Sequence, residues 1–215
     1  MESGLSIKSL TIQFKTPLLI FALMANEKTT GIILAGGKSQ RMGEDKGLLP
    51  YRGKLMVEHV IAQLAKVVDE IIIISNNAEY NQFGYLVFED LIKEKGPVGG
   101  IYTGLTNSST ETNVIVSCDT PHVSHQLLNQ LLTCQGNYDV TVPSHNARVH
   151  PLIGIYQKKC ASIFKSAIDQ DQLKLMSVNE QTHLNIVTID RNLEFYDVNL
   201  FKNINTPEDL NADND

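Results

Sequence analysis

Basic residues are in short supply in this 215-residue chain: 18 Lys and Arg stand against 24 Asp and Glu, a formal net charge of −6. A nucleic-acid backbone demands clustered Lys and Arg, so an acidic chain with no basic stripe is a poor nucleic-acid binder, and a small anion in a local positive pocket is the expected partner. Aromatic residues are also few, with no Trp at all. Cysteines number three, Cys118, Cys134 and Cys160, and no pair has zinc-ligand or redox spacing. This points to free thiols in a reducing cytoplasm. Cys118 reads as a small buried hydrophobe. The chain lacks long hydrophobic runs too. Leu18 to Met24, preceded by Lys8 and Lys15, superficially resembles a signal peptide but has no small-x-small cleavage site. It falls far short of the ~20 apolar residues of a spanning helix, so neither a targeting signal nor a membrane segment is expected. Residues 1–28 are expected to be a disordered upstream extension or the result of a mis-set start, with translation beginning at Met24.

A hydrophobic fraction of 42% is enough to bury a full core. The expectation is one domain over 29–210, in two parts near 29–120 and 121–210, with a frayed tail over 211–215. Apolar β-branched runs mark buried strands at 31–34, 71–74, 85–88 and 113–118, where strands apolar on both faces belong inside a parallel sheet. Leu55, Val57, Val60, Ile61, Leu64 and Val68 recur at helical spacing over 54–68. A second helix starts around Gly96, with Pro97 placed for the first helical position. Strands alternating with helices specify a three-layer α/β/α, Rossmann-like domain with a mostly parallel central sheet. The later part reads as strands at 138–142 and 152–156 joined by 143–151, helices near 157–168 and 172–180, a strand at 185–189 and a last helix after Thr206. No internal repeat, low-complexity linker or coiled coil interrupts this pattern.

The chemistry is concentrated after the first strand. Gly31 to Leu34 breaks at Gly36-Gly37 into a segment bearing Lys38, Arg41 and Lys46. Glycines let backbone N–H groups approach an anion closely, and the cations surround it. A Walker A loop would need Gly at position 32, where Ile32 stands, and the dinucleotide fingerprint is not supplied by Gly36-Gly37-Lys38-Ser39-Gln40-Arg41. Asp119 follows Val114 to Cys118 at a strand's carboxyl end, where open α/β sheets bind ligands, and its hard oxygen suits Mg²⁺ bridging phosphates. Asp90 and the run Ser75-Asn76-Asn77 end two further strands and offer polar groups to the same crevice.

The segment Leu34-Ala35-Gly36-Gly37 with Ser39-Gln40-Arg41-Met42-Gly43 and Asp45-Lys46 resembles the opening motif of the molybdenum cofactor guanylyltransferase family, the MobA-like nucleotidyltransferases. Cys118-Asp119-Thr120-Pro121, His150-Pro151-Leu152 and Asn203-Ile204-Asn205-Thr206-Pro207-Glu208-Asp209 extend the resemblance to about residues 30–210. The resemblance implies transfer of GMP from GTP to molybdenum-charged molybdopterin, with Mg²⁺ on Asp119. It implies nucleotide contacts from Leu34, Ala35, Gly36, Gly37, Lys46, Asn76, Asn77, Asp90 and Asp119, with Arg41, Lys46 and Asp119 as catalytic residues. His150, Asn203 and Asn205 would lie on the acceptor side. Transient contact with molybdenum insertion proteins or apo-molybdoenzymes is implied as well. His122 departs from the pattern, standing where an aromatic residue is expected.

Gly36 stands where cytidylyltransferase relatives carry alanine, and a missing methyl group makes room for the larger guanine base. The runner-up is therefore a cytidylyltransferase of the same fold, acting on molybdopterin or an isoprenoid precursor. From another class, the rival is a nucleotide-binding regulator without turnover.

Overall fold

The computed structural model describes residues 28–36, 45–204 and 209. The extension over 1–28 (Lys28 apart), the Met24 start, Gly37 to Glu44 with Arg41, Asn205 and the tail lie outside the described residues, as does the helix expected after Thr206 save for Asp209.

The described chain begins with β1 (Thr29–Leu34) and a hairpin of β2 (Pro50–Tyr51) and β3 (Lys54–Leu55), and continues through helix α1 (Met56–Leu64), β4 (Glu70–Ile74), β5 (Leu86–Phe88), helix α2 (Gly96–Asn107) and β6 (Thr112–Ser117). Helix α3 (His125–Cys134), β7 (Val140–His145), β8 (Arg148–Val149), β9 (Ile153–Gln157), helix α4 (Ala161–Asp169), helix α5 (Leu175–Asn179) and β10 (Leu184–Thr188) follow. The main sheet runs β5, β4, β1, β6, β9, β7, β10, with β8 paired to β7. Parallel ladders join β1 to β4 and to β6, β4 to β5 and β7 to β10; β9 runs antiparallel to both β6 and β7. The expectation of a mostly parallel three-layer α/β/α fold holds.

Period-2 alternation decides which layer each strand residue joins. Ile33, Ile71, Ile73, Val114 and Val116 pack with Val57, Val60 and Leu64 of α1 and Leu127, Leu128 and Leu131 of α3. Ile32, Leu34, Ile72, Ile74 and Ile115 face the other way, against Val98, Ile101 and Leu105 of α2 and Phe164 and Ile168 of α4. The uninterrupted apolar runs of β1 and β4 are thus strands covered on both faces.

Several boundaries differ from expectation for local reasons. The helix expected from Lys54 starts at Met56, because Arg52 (φ 46°) and Gly53 (φ 78°) form a two-residue turn that makes 50–55 a hairpin. Pro97 is the second residue of α2, behind Gly96. The strand expected at 138–142 runs instead over Val140–His145, through Pro143. Pro143 has no N–H to donate, but β9 pairs with β7 only at Val140 and Thr141, so the proline stands beyond that ladder. Residues 143–151 are therefore not a plain connection: Asn146 (φ 48°) and Ala147 (φ 59°) turn the chain between β7 and β8. Helix formation near 157–168 begins as a 3-10 turn at Lys158–Cys160, since Gln157 still belongs to β9. The helix expected over 172–180 is confined to Leu175–Asn179, because Gln172 N–H caps the preceding helix through the Ala167 carbonyl. Sequence reading missed α3, although its signals are present in Ser124, whose side chain accepts from Leu127 N–H, and in the buried Leu127, Leu128 and Leu131. Among the described residues, no helix is long and apolar enough to cross a membrane.

Helix α2 lies unusually close to the sheet. A Cβ at Gly104 would stand 2.6 Å from Ile32 Cγ2, and one at Gly100 3.3 Å from Leu34 Cδ2. Gly104→Ala is expected to destabilise the fold by about 1–3 kcal/mol through overpacking, outweighing the gain of about 1 kcal/mol in helix propensity. Urea denaturation checks this; an unchanged or raised midpoint would contradict the packing argument.

Candidate functional site

The carboxyl ends of β1, β4, β5 and β6 meet at one edge, where the chain order reverses about β1 and the crevice between diverging connections opens. A cleft of about 860 Å³ occupies this edge, lined among others by Ala35, Gly36, Asp45, Asn76, Asp90 and Asp119. Leu34, Asn77 and Leu152 also line it, as do Gly96, Pro97 and Gly100 at the start of α2. A Cβ built on Gly36 would meet no atom of the described residues within 4 Å. Among the described residues, packing therefore does not demand this glycine.

Asp119 is positioned by the end of β6. Its Oδ1 accepts from Ser117 Oγ at 2.7 Å, and its backbone carbonyl accepts from Ile204 N–H at 3.0 Å. Lys46 Nζ stands 3.9 Å from Asp119 Oδ2, so the first turn after the glycine segment reaches the end of β6. Beneath them lies Cys118, whose thiol is pushed well up from its ordinary value, first by burial and then by the negative charges of Asp119 and Asp45. It remains a protonated, inert packing group, as expected. Among the described residues, no three His, Cys, Asp or Glu side chains cluster to enclose a metal. One carboxylate at the mouth of an anion cleft nonetheless fits Mg²⁺, which commonly takes one or two protein carboxylates and completes its shell with phosphate and water oxygens.

The three polar residues after β4 divide their tasks. Ser75 is buried, and its Oγ accepts from Asn77 N–H at 3.1 Å. Asn77 caps the following turn, its Oδ1 accepting from Glu79 N–H at 3.0 Å, while its amide donates to Asp45 Oδ2 at 3.4 Å. Asn76 is exposed at the cleft and clasps Asp90: its amide donates to Asp90 Oδ2 at 2.8 Å, and Asp90 N–H donates back at 3.1 Å. Asn76 and Asp90 thus form one rigid polar unit at the rim.

On the far side of Asp119, His150 stacks on Phe201 with centroids 4.4 Å apart, and His145 stacks on the same ring at 5.4 Å. His145 also pairs with Tyr196 through Nε2 and the phenol oxygen at 2.9 Å. Burial, reinforced by the positive charges of Arg148 and His145, depresses His150 to about 4. Asn203 directly precedes Ile204, whose N–H donates to the Asp119 carbonyl, while its expected companion Asn205 lies outside the described residues. His145, Tyr196 and Phe201 escaped sequence reading because their stacking depends on a hairpin that no local pattern marks. His122 is accommodated by polarity as well as shape: its Nε2 lies 2.8 Å from Tyr51 Oη, edge-on to that ring.

A nucleotide-sized cleft at the switch point of a parallel sheet, with a lysine and a carboxylate converging where phosphates would lie, defines a nucleotide-binding α/β protein of the phosphoryl-transfer kind. The chain belongs to the MobA-like NTP transferase domain family, which matches residues 31–184. A relative from Flavobacterium johnsoniae, described as "Probable molybdenum cofactor guanylyltransferase", is 40% identical over 186 residues, covering 86% of this chain and 96% of its own. One from Pelotomaculum thermopropionicum with the same description is 33% identical, covering 85% and 90%. Among solved structures, the molybdopterin-guanine dinucleotide biosynthesis protein A from Archaeoglobus fulgidus superposes with a TM-score of 0.74 over 86% of this chain and 96% of its own, at 23% identity. That likeness bears on the fold. The chain is accordingly a nucleotidyltransferase.

His150 supplies a prediction about pH. Its folded-state value lies below the ordinary 6.5, so the fold prefers the neutral ring. Its contribution is fully present above pH 6.5 and is lost as pH falls towards about 4. The thermal midpoint of the wild type should therefore fall more steeply over that window than that of His150→Gln; parallel slopes in thermal melts would contradict the assignment.

Proposed function

We propose that the protein transfers GMP from GTP to the terminal phosphate of molybdenum-charged molybdopterin, forming the guanine dinucleotide and pyrophosphate. The observation that carries this reading is that Lys46 comes within 3.9 Å of Asp119, which lines the cleft together with Gly36, in a chain so close to relatives of that description. The nucleotide half supplies Leu34, Ala35, Gly36 and Gly37 as close-approach backbone, with Asn76, Asn77 and Asp90 at the nucleoside side. The acceptor half supplies His150, Asn203 and Asn205.

In the transfer, an oxygen of the acceptor phosphate attacks the α-phosphorus, a new P–O bond forms and the bond to pyrophosphate breaks. An anionic phosphate is already a nucleophile, so no general base is required. The side chains position the two anions and offset the charge that grows on the leaving group, Lys46 and Arg41 as cations. Mg²⁺, when bound, supplies Lewis-acid charge to the phosphate oxygens and takes a hard oxygen ligand from Asp119. Neutral His150 on its aromatic shelf adds hydrogen-bonding capacity beside the acceptor without a fixed charge. Free Cys118, Cys134 and Cys160 suit a reducing cytoplasm, where molybdenum insertion proteins or apo-molybdoenzymes would receive the product.

Pyrophosphate release from GTP and from CTP, each with Mg²⁺ and molybdate-loaded molybdopterin, tests the reading, with mass detection of the dinucleotide. Release with GTP and not with CTP is expected; release with CTP alone would move the protein to the cytidylyl class. Asp119→Ala should lower turnover by about 100-fold or more, the scale of losing one stabiliser of transition-state charge. It should leave GTP binding partly intact. Equal turnover in the two forms would sink Asp119's assigned role.

A further inference from the structure

A carboxylate beside a polyphosphate site needs an explanation, because it repels the ligand. Asp45 directly precedes Lys46 and lines the cleft. Its Oδ1 accepts from Tyr80 Oη at 2.6 Å and from Gly47 N–H at 3.1 Å, and its Oδ2 from Asn77 Nδ2 at 3.4 Å. Donors from separate segments thus take up its charge, and through Gly47 it caps the 3-10 turn Lys46–Leu48. Tyr80 is fully buried. Its hydroxyl is pushed upward first by burial, then by Cys118 and Asp45, so it remains a donor throughout the physiological range. The fit is tight: a Cβ on Gly47 would collide with Tyr80 Oη and stand 3.2 Å from Cys118 Sγ.

We infer that Asp45 and Tyr80 are positioning residues for the triphosphate: the buried phenol locks the Asp45 carboxylate, and the carboxylate sets the turn that aims Lys46 at the phosphate side of Asp119. In this role both act through Lys46. The same lock ties the strand-end loop after β4 to the turn that follows the glycine segment, so nucleoside-side and phosphate-side groups hold a fixed spacing. The inference rests on the reading that Lys46 binds the triphosphate.

Tyr80→Phe removes only the hydroxyl, and a double-mutant cycle with Lys46→Ala reads out its route of action. With GTP and Mg²⁺ in titration calorimetry, Tyr80→Phe should weaken binding by ~10-fold in the wild type, the scale of a lost hydrogen bond to a charged group. In the Lys46→Ala background it should weaken binding by less than ~2-fold, because the cation it positions is gone. Equal losses in both backgrounds would mark a general structural effect and overturn the inference, as would no loss in the wild type. Asp45→Asn, which keeps the Oδ1 acceptor, should retain most of the affinity that Asp45→Ala loses. Equal failure of the two variants would also overturn it, and this pair decides the matter if Tyr80→Phe does not fold. If Lys46→Ala itself leaves GTP affinity unchanged, the reading of Lys46 as the triphosphate cation is what fails.

Discussion

Two backbone hydrogen bonds at the edge of the sheet hold everything else in place. Ala35 N–H donates to the Ile74 carbonyl at 2.9 Å, and Cys118 N–H to the Leu34 carbonyl at 3.0 Å. They are the last rungs of the parallel ladders on either side of β1, and they bring three strand ends into one row. Gly36, the Asn76 to Asn77 loop and Asp119 are positioned by these rungs before any side chain acts. Packing reinforces the arrangement, since Gly100 and Gly104 let α2 press directly onto Leu34 and Ile32. The cleft is therefore built on rigid strands and helix, and only its contacting groups stand on loops.

Charge within the cleft is managed locally. The chain carries a net −6, yet Lys46, shortly after β1, stands 3.9 Å from Asp119 at the cleft. Three acidic groups of the lining are engaged by described partners: Asp119 by Ser117 and Lys46, Asp90 by Asn76, Asp45 by Tyr80 and Gly47. A hydrogen-bonded carboxylate presents less negative field to an incoming anion than a free one. An acidic protein can in this way hold a polyphosphate without becoming a general binder of nucleic acid.

Much of this was legible in the amino-acid sequence because the nucleotide half obeys short-range rules. The runs Ile71 to Ile74 and Val114 to Val116 announce buried strands, and Asn76 and Asp119 fall just past their ends by counting alone. The acceptor half is less legible because its signals are non-local. Pro143 suggests a break, but the strand continues past it where one neighbour has ended. Tyr51 and His122 lie far apart in the chain, and only their meeting shows how a histidine serves where an aromatic ring was expected. Asn77 is expected among the nucleotide contacts, and its amide also meets Asp45, from a segment far off in the chain. Residue type and spacing reveal which groups reach the cleft; which of them already have partners depends on contacts between distant segments.

The reversed direction of β9 bears on how the protein is made. By Ser117 the ribosome has delivered β5, β4, β1 and β6, a parallel set whose layers already enclose most of the first cleft. The outer edge of β6, with Val114, Ile115 and Val116, then stays open until the chain has built α3, β7 and β8 and doubled back. An apolar strand edge awaiting its neighbour is a template for pairing with the wrong chain. In the growing polypeptide β9 is the closing strip: its arrival seals that edge and, in the same step, welds the acceptor half to the nucleotide half.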